Sequence, residues 1–563
     1  MEEELPIKQK HKRAPALALC AAVLCLAAAC APAQSGELTA ALALIPLPNG
    51  KTEIGDGHIT LPDPLVVDPG EFAPEFFEVY AQRAGIALSI EKDNLSFLRV
   101  SLDESLQPEG YRLRVTEQGI EIAAADEQGL CWALVSLAAL TQDGGVPICE
   151  IEDAPYYTYR GFLMDSARHF FPVETIKALI ELTSMVKMNA FHWHLTDDQG
   201  WRVESLRFPL LQEQNVIPGE YYTQEEIREV IEFARVRGVE VIPEIDLPGH
   251  ATAIMAAYPA LSCSEKAVRV ADYPGIRSVI LCAGKEAVFD LLYPLLEEMA
   301  ALFPSPNFHL GGDEAPKVEW EKCPHCLRRM EEEGLAGVDE LQGWFTARLA
   351  RHLRGFGKRV TCWNESLLSE HLQEEIQDLR IEYWAEVHET GAVRRFWERG
   401  GGMIFAEEFA AHFDLPYGAI SLKKVYNYRP AALGFKGADA DKLPTLGLEA
   451  CIWTEFVETE ERLALLTFPR TYATAEAAWT RPDLREYGSF RGRLDLWLAR
   501  YPGIGFTPPQ EADLRFVKRI QNNAEFLRKL ATALDKENPD NAGAGGRLHW
   551  RYLAHWIGNY FLY

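Results

Sequence analysis

The chain has 563 residues, 48% of them hydrophobic and 25% charged, a balance that excludes extended disorder, a collagen-like fibre and a multi-span membrane protein. Its 56 basic and 83 acidic side chains leave a formal charge of −27, which repels phosphate backbones and argues against nucleic acid as a partner. At about 100–200 residues per domain, this length predicts two to four domains, one of them large enough for a barrel.

Residues 1–33 read as a targeting segment. Lys8, Lys10, Lys12 and Arg13 precede an uncharged run from Ala14 to Ala33 rich in Ala, Leu and Val, the n- and h-regions of a secretory signal. Two cleavage sites remain open. One is the A-x-A site at Ala31-Pro32-Ala33; the other lies before Cys30 in Leu26-Ala27-Ala28-Ala29-Cys30, resembles a bacterial lipoprotein signal, and would leave a lipid on Cys30 as a membrane attachment. A single membrane anchor fits less well, because the run is short and flanked by proline. The expected location is outside the cytoplasm, in the cell envelope as a lipoprotein or as a periplasmic or secreted protein.

Residues 38–150 alternate short strands (59–67, 98–102, 111–115, 119–123) with helical stretches near 75–83 and 129–140, a small α/β domain. Pro155 and the run Tyr156–Tyr159 mark a junction. Over 155–482, eight strand-like runs then alternate with amphipathic helices: 161–165, 190–195, 240–245, 307–310, 359–363, 381–384, 402–406 and 449–453. The helices include 173–187, 286–302, 341–354, and 223–237, which opens on the capping box Thr223-x-x-Glu226 and closes before Gly238. Eight β/α units in a row predict a (β/α)8 barrel. Residues 483–563 read as a helical C-terminal extension. Among the cysteines, Cys263 and Cys282 bracket a loop and are the expected disulfide, while the single Cys323-Pro-His-Cys326 reads as a local disulfide or two free thiols rather than a zinc site.

In such a barrel the chemistry sits where the strands end. Strand one ends at Asp165 and reaches Arg168 and His169; strand two gives His192, Trp193, His194, Asp197 and Asp198; strand three gives Glu244, Asp246 and His250; strand four gives His309, Asp313 and Glu314. The other four supply Trp363 with Glu365, Trp384 with Glu386, Glu407 with Glu408, and Trp453 with Glu455. Carboxylates bind sugar hydroxyls in pairs and indole faces cover the C–H side of a pyranose, so the expected substrate is a carbohydrate. Asp313 and Glu314 would face opposite ways on a continuing strand; Gly311-Gly312 breaks it just before them.

The segments Asp165-Ser-Ala-Arg-His-Phe170, Phe191-His-Trp-His-Leu-Thr-Asp-Asp-Gln-Gly-Trp201, Pro243-Glu-Ile-Asp-Leu-Pro-Gly-His250, His309-Leu-Gly-Gly-Asp-Glu314 and Trp453-Thr-Glu455 resemble those of family 20 glycoside hydrolases, the β-N-acetylhexosaminidases. The resemblance covers roughly 38–482. It implies exo-acting release of terminal N-acetylhexosamine from β-linked glycans by a retaining, substrate-assisted route, with neither cofactor nor metal. By the same resemblance Glu314 is the acid/base and Asp313 orients the acetamido N–H. Arg168 holds O3 and O4 with Asp197 beside it, Trp344, Trp363 and Trp453 wall the sugar, and Glu455 binds O4 and O6. Asp246 and His250 support the catalytic acid. Where the family has Tyr-x-Asp after the seventh strand this chain has His412-Phe-Asp414, so either Tyr426 or Tyr428 fills the tyrosine's role or the acetamido pocket is altered; Asp414 is the matching sugar ligand.

From residue type alone, Asp198 and Glu244 orient neighbours, His169 and His309 are scaffold histidines, Trp201, Trp384 and Trp479 pack by default with only Trp384 raised by its place at a strand end, and Glu365, Glu386 and Glu407 have a solvated loop acid as their alternative reading. Two other functions compete with the hydrolase. One is a metal-dependent amidohydrolase built on His192, His194, His250 and His309; the other is a glycan-binding protein without catalysis, for which only His412 speaks.

Overall fold

The computed structural model describes residues 44–501 apart from 93–95, 272–274, 370–371, 373–378, 385–389 and 431–443. The leader with Cys30, Glu386 and the extension beyond 501 lie outside the described residues.

The first unit is a seven-stranded sheet of β1 (Thr52–Thr60), β2 (Leu65–Asp68), β3 (Leu88–Ile90), β4 (Leu98–Leu102), β5 (Tyr111–Thr116), β6 (Gly119–Ala124) and β7 (Gly145–Asp153), in the order β1-β7-β5-β6-β4-β2-β3. The run expected as one strand over 59–67 is the end of β1, a turn, and the first three residues of β2. Pro62 and Pro64 cause the break, since neither has an N–H to give a ladder. Helices α1 (Glu75–Ala84) and α2 (Glu127–Leu140) pack together. Asp126 caps α2 by accepting from the Gly129 amide at 2.7 Å. Every residue of α2 from Gly129 on is buried, because it lies between this sheet and the second unit, where Gln128 reaches the Gly238 carbonyl at 3.1 Å.

The second unit is a closed parallel barrel of β8 (Tyr159–Asp165), β9 (Ala190–His194), β10 (Glu240–Glu244), β11 (Asn307–His309), β12 (Arg359–Trp363), β13 (Arg380–Tyr383), β14 (Gly402–Phe405) and β15 (Thr445–Ile452), which returns to pair with β8. All eight expected strands are there, within a few residues at their ends. Around them run α3 (Val173–Ser184), α4 (Gln224–Arg235), α5 (Glu286–Leu302), α6 (Pro324–Glu333), α7 (Val338–Arg354), α8 (Thr390–Glu398) and α9 (Arg470–Trp479). The α4 capping box forms as written in the sequence. After α9, α10 (Tyr487–Arg500) packs back, with Arg493 on Glu476 and Arg500 on the Ala138 carbonyl at 2.7 Å. Among the described residues no helix is long and apolar enough to cross a membrane.

The small unit grips the end of the barrel where the strands begin, opposite the catalytic mouth. Arg160 on β8 pairs with Glu109, Asn189 donates to Glu109 Oε1 at 3.0 Å, and Lys187 Nζ lies 2.9 Å from Asp153 Oδ2, all of them buried. Trp479 Nε1 also reaches Asp153 at 3.1 Å. Asp153→Asn leaves the Lys187 ammonium buried without its counter-charge. Such a change should cost about 3–5 kcal/mol in urea unfolding; a loss below ~1 kcal/mol would mean that water or other carbonyls replace the carboxylate.

The cysteine expectation changes. Cys263 and Cys282 are free thiols rather than a disulfide, and they lie beside Cys323 and Cys326.

Candidate active site

The two acids follow β11 on a run of left-handed backbone: φ is 64° at Gly311, 104° at Gly312 and 46° at Glu314. Only glycine fits the first two. A Cβ on Gly311 would lie 1.8 Å from Asp246 Oδ1, and one on Gly312 2.2 Å from Ser366 Oγ. Glu314 has no such excuse, and a non-glycine residue held there is strained by its surroundings. The surroundings are a set of clamps: Asp246 Oδ1 accepts the Gly312 amide at 2.8 Å, Gln342 Nε2 donates to the Gly312 carbonyl at 2.7 Å, and the Trp363 amide donates to the Gly311 carbonyl at 3.0 Å. So turned, Asp313 buries Oδ1 with no hydrogen-bond partner among the described residues. An orphaned carboxylate oxygen beside a cleft is where a substrate donor belongs.

A second chain of charge runs into the same place. Arg168 Nη2 lies 2.7 Å from Asp197 Oδ2 and 3.9 Å from Glu455 Oε1, with Nη1 3.2 Å from Asp165 Oδ2. Asp165 also takes the Ala167, Arg168 and Thr454 amides, so it folds the loop that aims the guanidinium; only its place at a strand end marked it in the sequence. Asp197 accepts from His194 Nε2 at 2.9 Å and from His250 Nδ1 at 3.1 Å. Burial opposes its ionisation, but Arg168 and the two histidines hold it far below the usual carboxylate range. His250 in turn stays protonated: burial opposes this, and Asp197 and Asp313 outweigh it. Its Nε2 is 3.7 Å from Glu314 Oε2 and 3.8 Å from Asp313 Oδ2. The two supporting residues therefore work apart, His250 on the acid side chains through Asp197, and Asp246 on their backbone.

The aromatic wall corrects the sequence reading. Trp363, Trp384 and Trp453 form one buried cluster with Leu163, Ala406 and Cys451, and the Trp363 and Trp453 rings lie 5.9 Å apart. Arg168 stands 5.1 Å over the Trp453 ring. Trp384, raised above packing only by its place at a strand end, belongs to this wall, whereas Trp344 does not. Trp344 sits on α7 two residues past Gln342, hence on the other side of the helix, against Phe289, Arg329 and Arg348. Trp384→Leu should raise KM about tenfold, the value of one aromatic face, and Trp344→Leu should leave KM unchanged. Equal effects would return Trp344 to the site.

His412 stacks on Trp384 at 5.9 Å and lies 6.1 Å from Trp453, while Tyr426 bonds Glu476 and stacks on Phe490 well away from the wall. Tyr426 is thus turned to Glu476 and Phe490 and does not fill the tyrosine's place, while Tyr428 lies by Glu407. Asp414 is buried two residues on.

Beneath the wall the barrel interior is polar. Glu244 meets His194 Nδ1 at 2.5 Å, His309 Nδ1 at 2.9 Å, His192 Nε2 at 3.2 Å and Trp363 Nε1 at 2.8 Å. The four histidines of the amidohydrolase reading thus divide. His192 stacks against Trp363, His309 meets the same ring edge-on, and both gather with His194 around Glu244, while His250 faces the acids. Glu365, solvated in its alternative reading, accepts from Trp384 Nε1 at 2.9 Å. Burial, then the charges of Asp313 and Glu314, push its pKa from 4.5 up to about 8. Because that pKa is raised on folding, the stability Glu365 contributes is complete below pH 4.5 and is lost as the pH climbs to about 8. The slope is at most ~1.4 kcal/mol per pH unit. Glu365→Gln cannot ionise, so chemical unfolding should show the variant gaining on the wild type between about pH 5 and 8. Parallel curves would show that Glu365 ionises as freely in the fold as out of it.

Beyond Arg168 and Glu455 opens a pocket of about 280 Å³, also lined by Phe170, Arg202, Ile217 and Glu458. Acids able to give and take a proton, beside a tryptophan cluster in the mouth of a (β/α)8 barrel, define the class as glycoside hydrolases.

Comparison with known proteins narrows this. The model for the glycosyl hydrolase family 20 catalytic domain matches residues 157–482, and that for the family's domain 2 matches residues 41–154. The chain belongs to glycosyl hydrolase family 20. A beta-hexosaminidase of Porphyromonas gingivalis (strain ATCC BAA-308 / W83) is 32% identical over 502 residues, 82% of this chain; this chain spans 63% of that relative's length. The structure of a GH20 exo beta-N-acetylglucosaminidase from Vibrio harveyi, in complex with N-acetylglucosamine, aligns with a TM-score of 0.74 at 30% identity, over 84% of this chain and 78% of the other. A beta-N-acetylhexosaminidase from Bacteroides fragilis NCTC 9343 aligns with a TM-score of 0.73 at 32% identity, over 83% and 97%.

Proposed function

We propose that this protein is an exo-acting β-N-acetylhexosaminidase that releases terminal non-reducing GlcNAc or GalNAc from β-linked glycans by a retaining, substrate-assisted mechanism. The observation that carries the reading is the orphaned Asp313 Oδ1 next to Glu314. An N-acetyl sugar seated against Trp453 would give its amide N–H to Asp313. That polarises the acetamido oxygen toward the anomeric carbon while Glu314 protonates the leaving oxygen, and an oxazolinium forms. Glu314, now ionised, then takes a proton from the water that opens it. A conventional retaining scheme needs a second ionised carboxylate as nucleophile. Glu365, held mostly neutral near pH 7, is poorly suited to that role. Arg168, Asp197, Asp414 and Glu455 are the proposed hydroxyl ligands, with Trp363, Trp384 and Trp453 around the ring.

An aryl β-N-acetylglucosaminide assayed against the matching aryl β-glucoside tests the reading. Turnover confined to the acetamido sugar and lost in Asp313→Asn supports it. Equal rates on both sugars would overturn acetamido participation, and sugar binding without any turnover would favour the glycan-binding alternative.

The leader supports export, with a lipid on Cys30 as the attachment. Palmitate labelling that disappears in Cys30→Ala is the expected result; cleavage after Ala33 without label would overturn it.

A further inference from the structure

Cys263 and Cys282, from the loop after β10, and Cys323 and Cys326, at the start of α6 in the connection after β11, converge on one point. Sγ of Cys282 lies 3.6 Å from that of Cys326 and 3.7 Å from that of Cys323, and Cys263 lies 3.8 Å from Cys326; all four sulfurs fall within 4.8 Å of one another. Zinc–thiolate bonds of about 2.3 Å in a tetrahedron place sulfurs about 3.8 Å apart. A disulfide would place two of them about 2.05 Å apart. We propose that these four thiolates bind one structural Zn²⁺, which ties the loop carrying His250 to the loop carrying Glu314.

The backbone around the sulfurs is built for such a site. Cys323 sits at the N-cap of α6 with Pro324 in the first turn, so the positive end of the helix lies at the Cys323 and Cys326 thiolates. A Cβ on Gly284 would lie 2.2 Å from the His325 carbonyl carbon, so the two loops can meet this closely only at glycine. Lys285, whose ammonium is held by the Ser262 carbonyl and by Glu265 Oε1, both at 2.8 Å, fixes the loop that carries Cys263. The same loops are joined by Trp320 Nε1 to the Leu281 carbonyl at 2.9 Å, and Leu281 N to the Pro248 carbonyl at 3.1 Å leads back toward His250. A tetrahedral S4 set suits zinc or iron. Zinc, without redox chemistry or ligand-field preference, fits a cluster whose position is purely structural. Binding is a plain ligand exchange in which the four thiols give their protons to solvent as the Zn–S bonds form.

The proposal is independent of the glycosidase reading and is tested without it. The full-length protein, purified without added metal or chelator, is analysed by elemental mass spectrometry. In parallel it is alkylated under denaturing, non-reducing conditions. One zinc per chain, released by an organomercurial, with all four cysteines alkylated, is the expected result. No metal together with a mass deficit of one or two disulfides would overturn the site, and one iron per chain would overturn the choice of zinc. Cys282→Ser should purify without zinc. If that variant fails to fold, cobalt exchanged into the wild type serves instead, and should give thiolate-to-metal charge-transfer bands and intense tetrahedral ligand-field bands. Their absence counts against the site.

Discussion

Glu314→Gln should lower kcat/KM for an N-acetylglucosaminide disaccharide by about 10³-fold, within the usual worth of a positioned acid/base. The amide keeps the shape of the side chain, so the strained left-handed turn and the clamps on Gly312 from Asp246 and Gln342 should survive. What disappears is the proton. An aryl glycoside whose leaving phenolate needs little protonation should lose much less in the first step than a disaccharide does, and that gap between substrates is the readout. A uniform loss on both, with sugar binding also impaired, would point to a damaged pocket instead of a missing acid. Protonated His250, 3.7 Å from Glu314 Oε2, adds a second expectation. A fixed positive charge favours the ionised acid, so His250→Asn should shift the alkaline limb of kcat/KM to higher pH.

Arg168→Ala should cost both stability and substrate affinity. The guanidinium is the common partner of Asp165 and Asp197 and faces Glu455 at 3.9 Å, with its side chain only 10% exposed. Removing it leaves buried carboxylates facing one another, an expected loss of about 3–5 kcal/mol. It also takes away a forked donor for sugar hydroxyls, for which kcat/KM should fall by about 10²-fold. Arg168→Lys separates the two effects. One ammonium can restore charge beside Asp197 but cannot also span to Asp165, so most of the stability should return while KM stays raised. If Arg168→Lys recovers both, the fork geometry is unimportant; if it recovers neither, the effect is packing against Trp453.

How much of this was legible in the sequence depends on range. Strands such as 359–363 and the capping box Thr223-x-x-Glu226 depend on residues a few positions apart, and local periodicity and capping chemistry decide them. The break in 59–67 was legible in principle, from Pro62 and Pro64. The acids at the strand ends were legible too, because a parallel barrel puts every strand's C-terminal end on one face whatever the loops do.

What the sequence by itself determined, then, is the barrel, the small α/β unit before it and the Asp313-Glu314 pair behind Gly311-Gly312. Only the tertiary structure decided which tryptophans face the site. Along the chain the resemblance favours Trp344 and only a strand end favours Trp384, yet helical rotation turns the first away while the second joins the wall. It also decided that His250 answers to Asp197 and Asp246 to the Gly312 amide. And it brought Cys263 and Cys282 to Cys323 and Cys326 across two loops. Spacing along a chain specifies neighbours within an element, but convergence of side chains from different loops is set by how those loops pack, and no local period records it.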